Sequence, residues 1–119
     1  MSNRRQKAEK HGRTSERLAA LLLRLKGYRI LATRVRTKAG EIDLVARSPR
    51  GVVCFIEVKA RMAMRSAVES VSLMQQARIT RAASLYVAAR PKLARAALRF
   101  DIVTVAPLPC HIRDAWRPR

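Results

Sequence analysis

A chain of 119 residues is long enough for one domain and too short for two, and its 49% hydrophobic content excludes a wholly disordered chain. Its 26 Lys and Arg against 8 Asp and Glu give a formal net charge of +18, a field that attracts polyanions and repels other basic surfaces. Nucleic acid is the leading partner class, although an Arg-rich proteome would raise the same count without any binding.

Residues 1–13 (MSNRRQKAEKHGR) show no apolar periodicity and read as a basic, mobile arm. Thr14 and Ser15 are good N-caps for a following helix, in which Leu18, Leu22 and Leu25 recur at helical spacing as a core-facing stripe. Gly27 is placed to end that helix in a left-handed conformation. Short β-rich runs follow: residues 30–36, then 41–47 (EIDLVAR), where Ile42, Leu44 and Ala46 alternate onto one face. Ser48-Pro49-Arg50-Gly51 is a turn, and residues 52–59 (VVCFIEVK) form a nearly continuous apolar strand expected to be central and covered on both faces.

The spacing of Val68, Val71, Met74, Ala82, Leu85 and Ala89 predicts one long helix over 67–89, ended by Pro91. Residues 100–106 (FDIVTVA) give a last strand, and the tail with Pro107, Pro109, Trp116 and Pro118 reads as irregular. The expected order is α-β-β-β-α-β, an α/β fold with a mixed central sheet flanked by helices. The expected division is an arm over 1–13, one domain over 14–106 and a basic tail over 107–119. Neither an apolar leader nor a membrane-length segment is evident, so a soluble cytoplasmic protein is expected. Cys54 and Cys110 fit neither a zinc spacing nor a disulfide framework, and Cys54 reads as a small core residue.

Acids are scarce, which makes their positions informative. Glu41, Asp43 and Glu57 fall on the two strands joined by the turn, and strand alternation puts Glu57 and Lys59 on one face. In a hairpin, Asp43 lies across from the Ile56–Glu57 region; whether the carboxylates converge depends on register or a local divergence. Two converging carboxylates suit a hard divalent cation such as Mg²⁺ or Mn²⁺, which can polarise a phosphoryl oxygen and acidify its bound water. Lys59 would then orient the attacking water or stabilise charge on the phosphate. The plainer alternative is a surface ion pair, but Glu57 and Lys59 end the most apolar run in the chain, where burial makes a charge costly. His11 and His111 read as isolated surface groups, Asp101 as a support for the last strand, and Trp116 as packing on its own domain.

The segments Gly40-Glu41-Ile42-Asp43-Leu44 and Phe55-Ile56-Glu57-Val58-Lys59, with Gly27-Tyr28 upstream and Arg99-Phe100-Asp101 downstream, resemble the YraN-like family of small bacterial proteins. That family is similar to the restriction-endonuclease-like PD-(D/E)xK superfamily and, within it, to archaeal Holliday-junction resolvases. The resemblance spans about residues 12–105 and implies a restriction-endonuclease-like fold. It further implies Asp43 and Glu57 as metal ligands, with the Val58 carbonyl as a further one, Lys59 as catalytic lysine, and Glu16 as a helical acid completing the site. Glu16 is equally explained as an acid complementing a helix dipole. Three features depart from the family pattern. Ser15 stands where a glycine usually precedes the helical acid, Gln75 replaces a lysine, and residues 60–65 differ from its more regular loop. Gln76 and Arg78 remain as weak candidates for contacting the nucleic-acid backbone, or as a solvated helix face.

Two functions are therefore expected, with an RNA-binding or ribosome-associated protein as a distant third. One is a Mg²⁺- or Mn²⁺-dependent endonuclease acting on DNA ahead of RNA, with branched or damaged DNA as candidate substrates and a homodimer as the implied assembly. The other is a non-catalytic nucleic-acid-binding module on the same fold.

Overall fold

A computed structural model describes residues 2–62 and 64–118, with side chains described from Arg13 onward except those of Met64 and Arg65. Ala63 and the side chain of His11 lie outside the described residues. The β-rich runs form five strands: β1 (Arg29–Arg36), β2 (Glu41–Arg47), β3 (Val53–Arg61), β4 (Leu98–Ala106) and β5 (Cys110–Trp116). They make one sheet in the order β1-β2-β3-β4-β5, in which β3 and β4 run parallel and the other neighbours antiparallel. A parallel pair needs a crossover. It is supplied here by the short helix α2 (Met64–Ala67), the longer helix α3 (Leu73–Ala88) and a 3-10 turn at Pro91–Leu93.

The first helix, α1 (Ser2–Leu25), packs on one face of the sheet and α3 on the other. Consecutive residues of β3 feed the two sides. Phe55 joins Tyr86, Ile79 and Phe100 below α3, whereas Ile56 joins Leu23, Leu44 and Val103 below α1. That is why the strand reads as a continuous apolar run.

Five expectations change. The helix over Ser2–Leu25 takes in residues 2–13, read from sequence as a basic arm ahead of the helix, so Thr14 and Ser15 are interior positions and not its caps. Its buried side is Ala19, Ala20 and Leu23, while Leu18 and Leu25 are 47% and 78% exposed. The small alanines let the helix lie close to a sheet that already supplies the large side chains.

The expected single helix over 67–89 is broken, because Ser72 is extended (φ −62°, ψ 160°) and its Oγ accepts from the Gln75 N–H at 3.1 Å, capping a fresh start at Leu73. The buried stripe becomes Ile79, Ala82, Ala83 and Tyr86, leaving Met74 and Leu85 exposed. Finally, the tail expected to be irregular holds β5, whose Trp116 stacks on Phe100 at 5.3 Å.

Candidate functional site

The hairpin of β2 and β3 pairs from Arg47 with Val53 to Leu44 with Ile56 and stops there. Extending that register sets Asp43 opposite Glu57, on the same side of the two strands. Beyond this point the strands part, and Asp43 Oδ2 accepts the Val58 N–H at 2.8 Å in place of a backbone carbonyl.

The other neighbour of β2 is irregular at the same level. Arg34 falls opposite Asp43, between the pairs Thr33–Leu44 and Val35–Ile42, and has a positive φ of 51°. Side-chain alternation breaks here. Leu44 and Ala46 pack beneath α1, as expected, but Ile42 packs in the opposite core with Val45. Ile42, Leu44 and Ala46 therefore do not share one face, and the change of face coincides with the position of Asp43.

Glu57 lies on β3 with its side chain 13% exposed, so its charge is poorly solvated. Gln75 Nε2, in the first turn of α3, donates to Glu57 Oε1 at 3.1 Å, and Lys59 Nζ stands 3.8 Å from the same oxygen. The Asp43 and Glu57 carboxyls act on one another electrostatically, each perturbing the other's titration. Burial first, and the Asp43 charge second, push Glu57 up to about 7. Burial raises Asp43 as well, opposed by the Val58 N–H and by Lys59. Two acids thus face one another with one nearby ammonium.

Glu16 approaches from α1. Burial and the Asp43 charge raise its pKa, while Arg34, whose Nε lies 3.4 Å from Glu16 Oε2, lowers it. Glu16 thus feels Asp43 but is tied to Arg34. Among the described residues, no group of three His, Cys, Asp or Glu side chains closes on a common point.

The sequence-derived set therefore divides. Asp43, Glu57 and Lys59 come together, with the backbone of Val58 beside them, and Glu16 stands adjacent. Gln76 and Arg78 are engaged elsewhere: Gln76 Nε2 donates to the Val71 carbonyl at 3.1 Å, and Arg78 Nη2 contacts Met74 Sδ at 3.4 Å. Sequence reasoning missed Gln75 and Arg34 as members of the site. Gln75 was visible only as a departure from the family's lysine, and nothing in the local sequence marks the backbone of Arg34.

Next to Glu16 an open cleft of about 400 Å³ runs between α1 and β1, lined by Arg13, Arg17, Arg24 and Arg34. A second buried acid, Asp101, is fully compensated. Arg99 grips both its oxygens at 2.8 Å, His111 Nε2 donates to Oδ2 at 2.8 Å, and the Asp114 N–H donates to Oδ1 at 3.0 Å. Burial would raise this carboxyl, but the hydrogen bonds of His111 and Arg99 outweigh it and hold the pKa below the ordinary value. His111 is thus a buried member of a polar cluster, with its side chain 2% exposed, and not an isolated surface histidine. Cys54 is part of the core as expected, its thiol pushed up to about 12 by burial.

Among the described residues no helix is long and apolar enough to cross a membrane. Residues 15–105 match the model of a family described as uncharacterised protein family UPF0102. A UPF0102 protein of Paramagnetospirillum magneticum is 51% identical over 123 residues, covering 98% of this chain and 94% of that protein. One of Agrobacterium fabrum is 52% identical over 117 residues, with 97% and 95% covered, and one of Maricaulis maris is 50% identical over 120 residues, with 99% and 94% covered.

Proposed function

The chain belongs to the UPF0102 family, and from its carboxylate pair we propose that it is a metal-dependent endonuclease that hydrolyses phosphodiester bonds in DNA, with branched or damaged DNA as candidate substrates. The observation that carries this reading is the meeting of Asp43 and Glu57 where β2 and β3 part, with Lys59 beside them. The five-stranded mixed sheet with a helix on each face is compatible with a restriction-endonuclease-like fold, which this reading adopts.

Two buried carboxylates with raised pKa values lack positive charge, and one or two carboxylates completed by waters are a usual protein donor set for Mg²⁺ or Mn²⁺. Asp43 and Glu57 would hold the ion, with the Val58 carbonyl as a further oxygen. Once bound, it would supply Lewis acidity toward a phosphoryl oxygen. The chain's own residues do the rest. Lys59 holds an ammonium beside Glu57, where it would stabilise charge developing on the phosphate or orient the attacking water. Gln75 fixes the rotamer of Glu57 through its amide. Arg13, Arg17, Arg24 and Arg34 offer guanidinium groups to phosphates along the adjoining cleft. Such contacts carry no base identity, so shape would guide recognition ahead of sequence.

A second reading is favoured by one observation: Asp43 already accepts from Val58 and Glu57 from Gln75. On that reading the site is a structural remnant, and the chain binds nucleic acid without cutting it. The deciding experiment incubates branched, single-stranded and duplex DNA with Mg²⁺ or Mn²⁺, using wild type, Asp43→Ala and Lys59→Ala. Cleavage by wild type alone supports the nuclease. Equal cleavage by all three overturns the assigned site. No cleavage with salt-sensitive binding intact supports the binding module.

A further inference from the structure

Beside the start of β3 lies a pocket of about 220 Å³, lined by Lys26, Tyr28, Ser48, Arg50, Arg99 and Arg113, among others. It forms because the β2–β3 turn is drawn against the end of α1. Gly27 has φ +87°, and a Cβ there would sit 3.3 Å from Pro49 Cγ, so a larger residue would push the turn away.

The donors around this pocket exceed the acceptors. The Asp101 carboxylate can only accept, so His111 Nε2 carries the hydrogen and Nδ1 accepts from Lys26 Nζ at 2.6 Å. That bond uses one of three ammonium hydrogens. Arg99 spends Nε and Nη2 on Asp101, with Nη2 also donating to the Tyr28 hydroxyl at 2.7 Å, and its Nη1 takes no part in those bonds. The tyrosine accepts there, which leaves its own hydrogen to donate. Among the described residues no carboxylate lies in salt-bridge distance of Arg50 or Arg113. Four cations thus surround one space, and Asp101, fully buried, is the acid in contact with the cluster. Burial lowers the pKa of Lys26, and Arg113 and Arg99 lower it further, against the opposing pull of Asp101.

We propose that this pocket binds a phosphate group, and that its occupant is a backbone phosphodiester of the same polynucleotide that reaches the carboxylate pair. Val52, a lining residue of the pocket just before β3, stands five positions ahead of Glu57, about 17 Å at the rise of a strand. That distance equals about five base pairs along a duplex axis. The choice of occupant rests on the DNA reading above, whereas the anion pocket itself does not.

The test uses the full chain without divalent cation. Arg50→Gln/Arg113→Gln is the variant of choice, because both side chains are exposed and neither holds Asp101. Inorganic phosphate is titrated first, following the amide resonances of Tyr28 and Ser48, and then a 20-base-pair duplex. In wild type both ligands should move those resonances. The double variant should lose the phosphate response. It should also bind duplex about tenfold more weakly at low salt, with a salt-dependence slope flatter by about one. No phosphate response in wild type overturns the pocket. A phosphate response in wild type with equal duplex affinity and slope in both proteins overturns the polynucleotide assignment in favour of a small phosphorylated ligand. Cleavage is not measured, so failure of the proposed reaction and failure of the pocket are read separately.

Discussion

Asp101 and Glu57 are neighbours across the centre of one sheet, for Asp101 pairs with Ile56, one residue before Glu57. Both are withdrawn from water, yet their surroundings differ. Asp101 receives two bonds from Arg99, one from His111 and one from the Asp114 N–H, and its pKa falls. Glu57 receives one amide bond, stands 3.8 Å from an ammonium and faces another acid, and its pKa climbs to about 7. Burial alone therefore does not single out a reactive carboxylate in this molecule. Missing compensation does, and such imbalance clusters at functional sites.

The largest effect should come from unbalancing the satisfied cluster. Arg99→Leu leaves Asp101 buried without its main counterion and should cost about 3–5 kcal/mol in urea denaturation. A loss below about 1 kcal/mol would mean that the two acids are not differently held. On the other side, if the proposed nuclease reading holds, Lys59→Ala lowers metal-dependent cleavage by about 10²–10³-fold, equivalent to about 2.7–4 kcal/mol, with the fold retained by circular dichroism.

The third contrast is in pH. Glu57 is raised from 4.5 to about 7, so its contribution to stability is intact below 4.5 and is lost as pH rises through about 7. Asp101 is depressed, so its contribution is intact above its ordinary 3.8 and is lost as pH falls through its lower folded value. Glu57→Gln should accordingly remove a decline between pH 4.5 and 7 and stabilise the metal-free protein at pH 8 by up to about 3 kcal/mol. Denaturation midpoints from pH 4 to 8 would show it; parallel curves for wild type and variant would contradict the comparison. Smallest of all, Gln75→Ala removes one hydrogen bond to Glu57, worth about 1 kcal/mol. Since that bond lowers the pKa of Glu57, its loss should move the carboxyl titration upward in ¹³C NMR.

The meeting of Asp43 and Glu57 was legible because alternation and a short turn constrain a hairpin, leaving register as the open question. The continuous apolar run of β3 likewise announced a strand covered on both faces. Elements that depend on tertiary detail were not legible. The expected helical stripes hold only in part: Leu22, Val71 and Ala82 face the core, but the other alanines carry little hydrophobic signal, whereas exposed leucine and methionine carry a strong one. Gln75 reaches Glu57 because Ser72 restarts the helix, and a lone serine inside a helical pattern does not announce a break. Arg34 adopts a backbone that no arginine signature predicts. In β5 Cys110, Ile112, Ala115 and Trp116 offer apolar character without a strict alternation, too little to outweigh the prolines around them, and His111 was misread with it.

The parallel pairing of β3 with β4 also orders events in time. A hairpin closes over a few residues, whereas β4 pairs with β3 only after residues 62–97 have been synthesised and folded back, and long closures are slow. The two acids of the hairpin can thus come together on a nascent chain whose β3 edge is still open. Asp101 acquires His111 and the Asp114 N–H only when β5, the strand after its own, joins the sheet. The polar cluster around Asp101 consequently acts as a late latch: a chain halted before residue 110 could build the hairpin of Asp43 and Glu57 but would leave the second acid only partly paired.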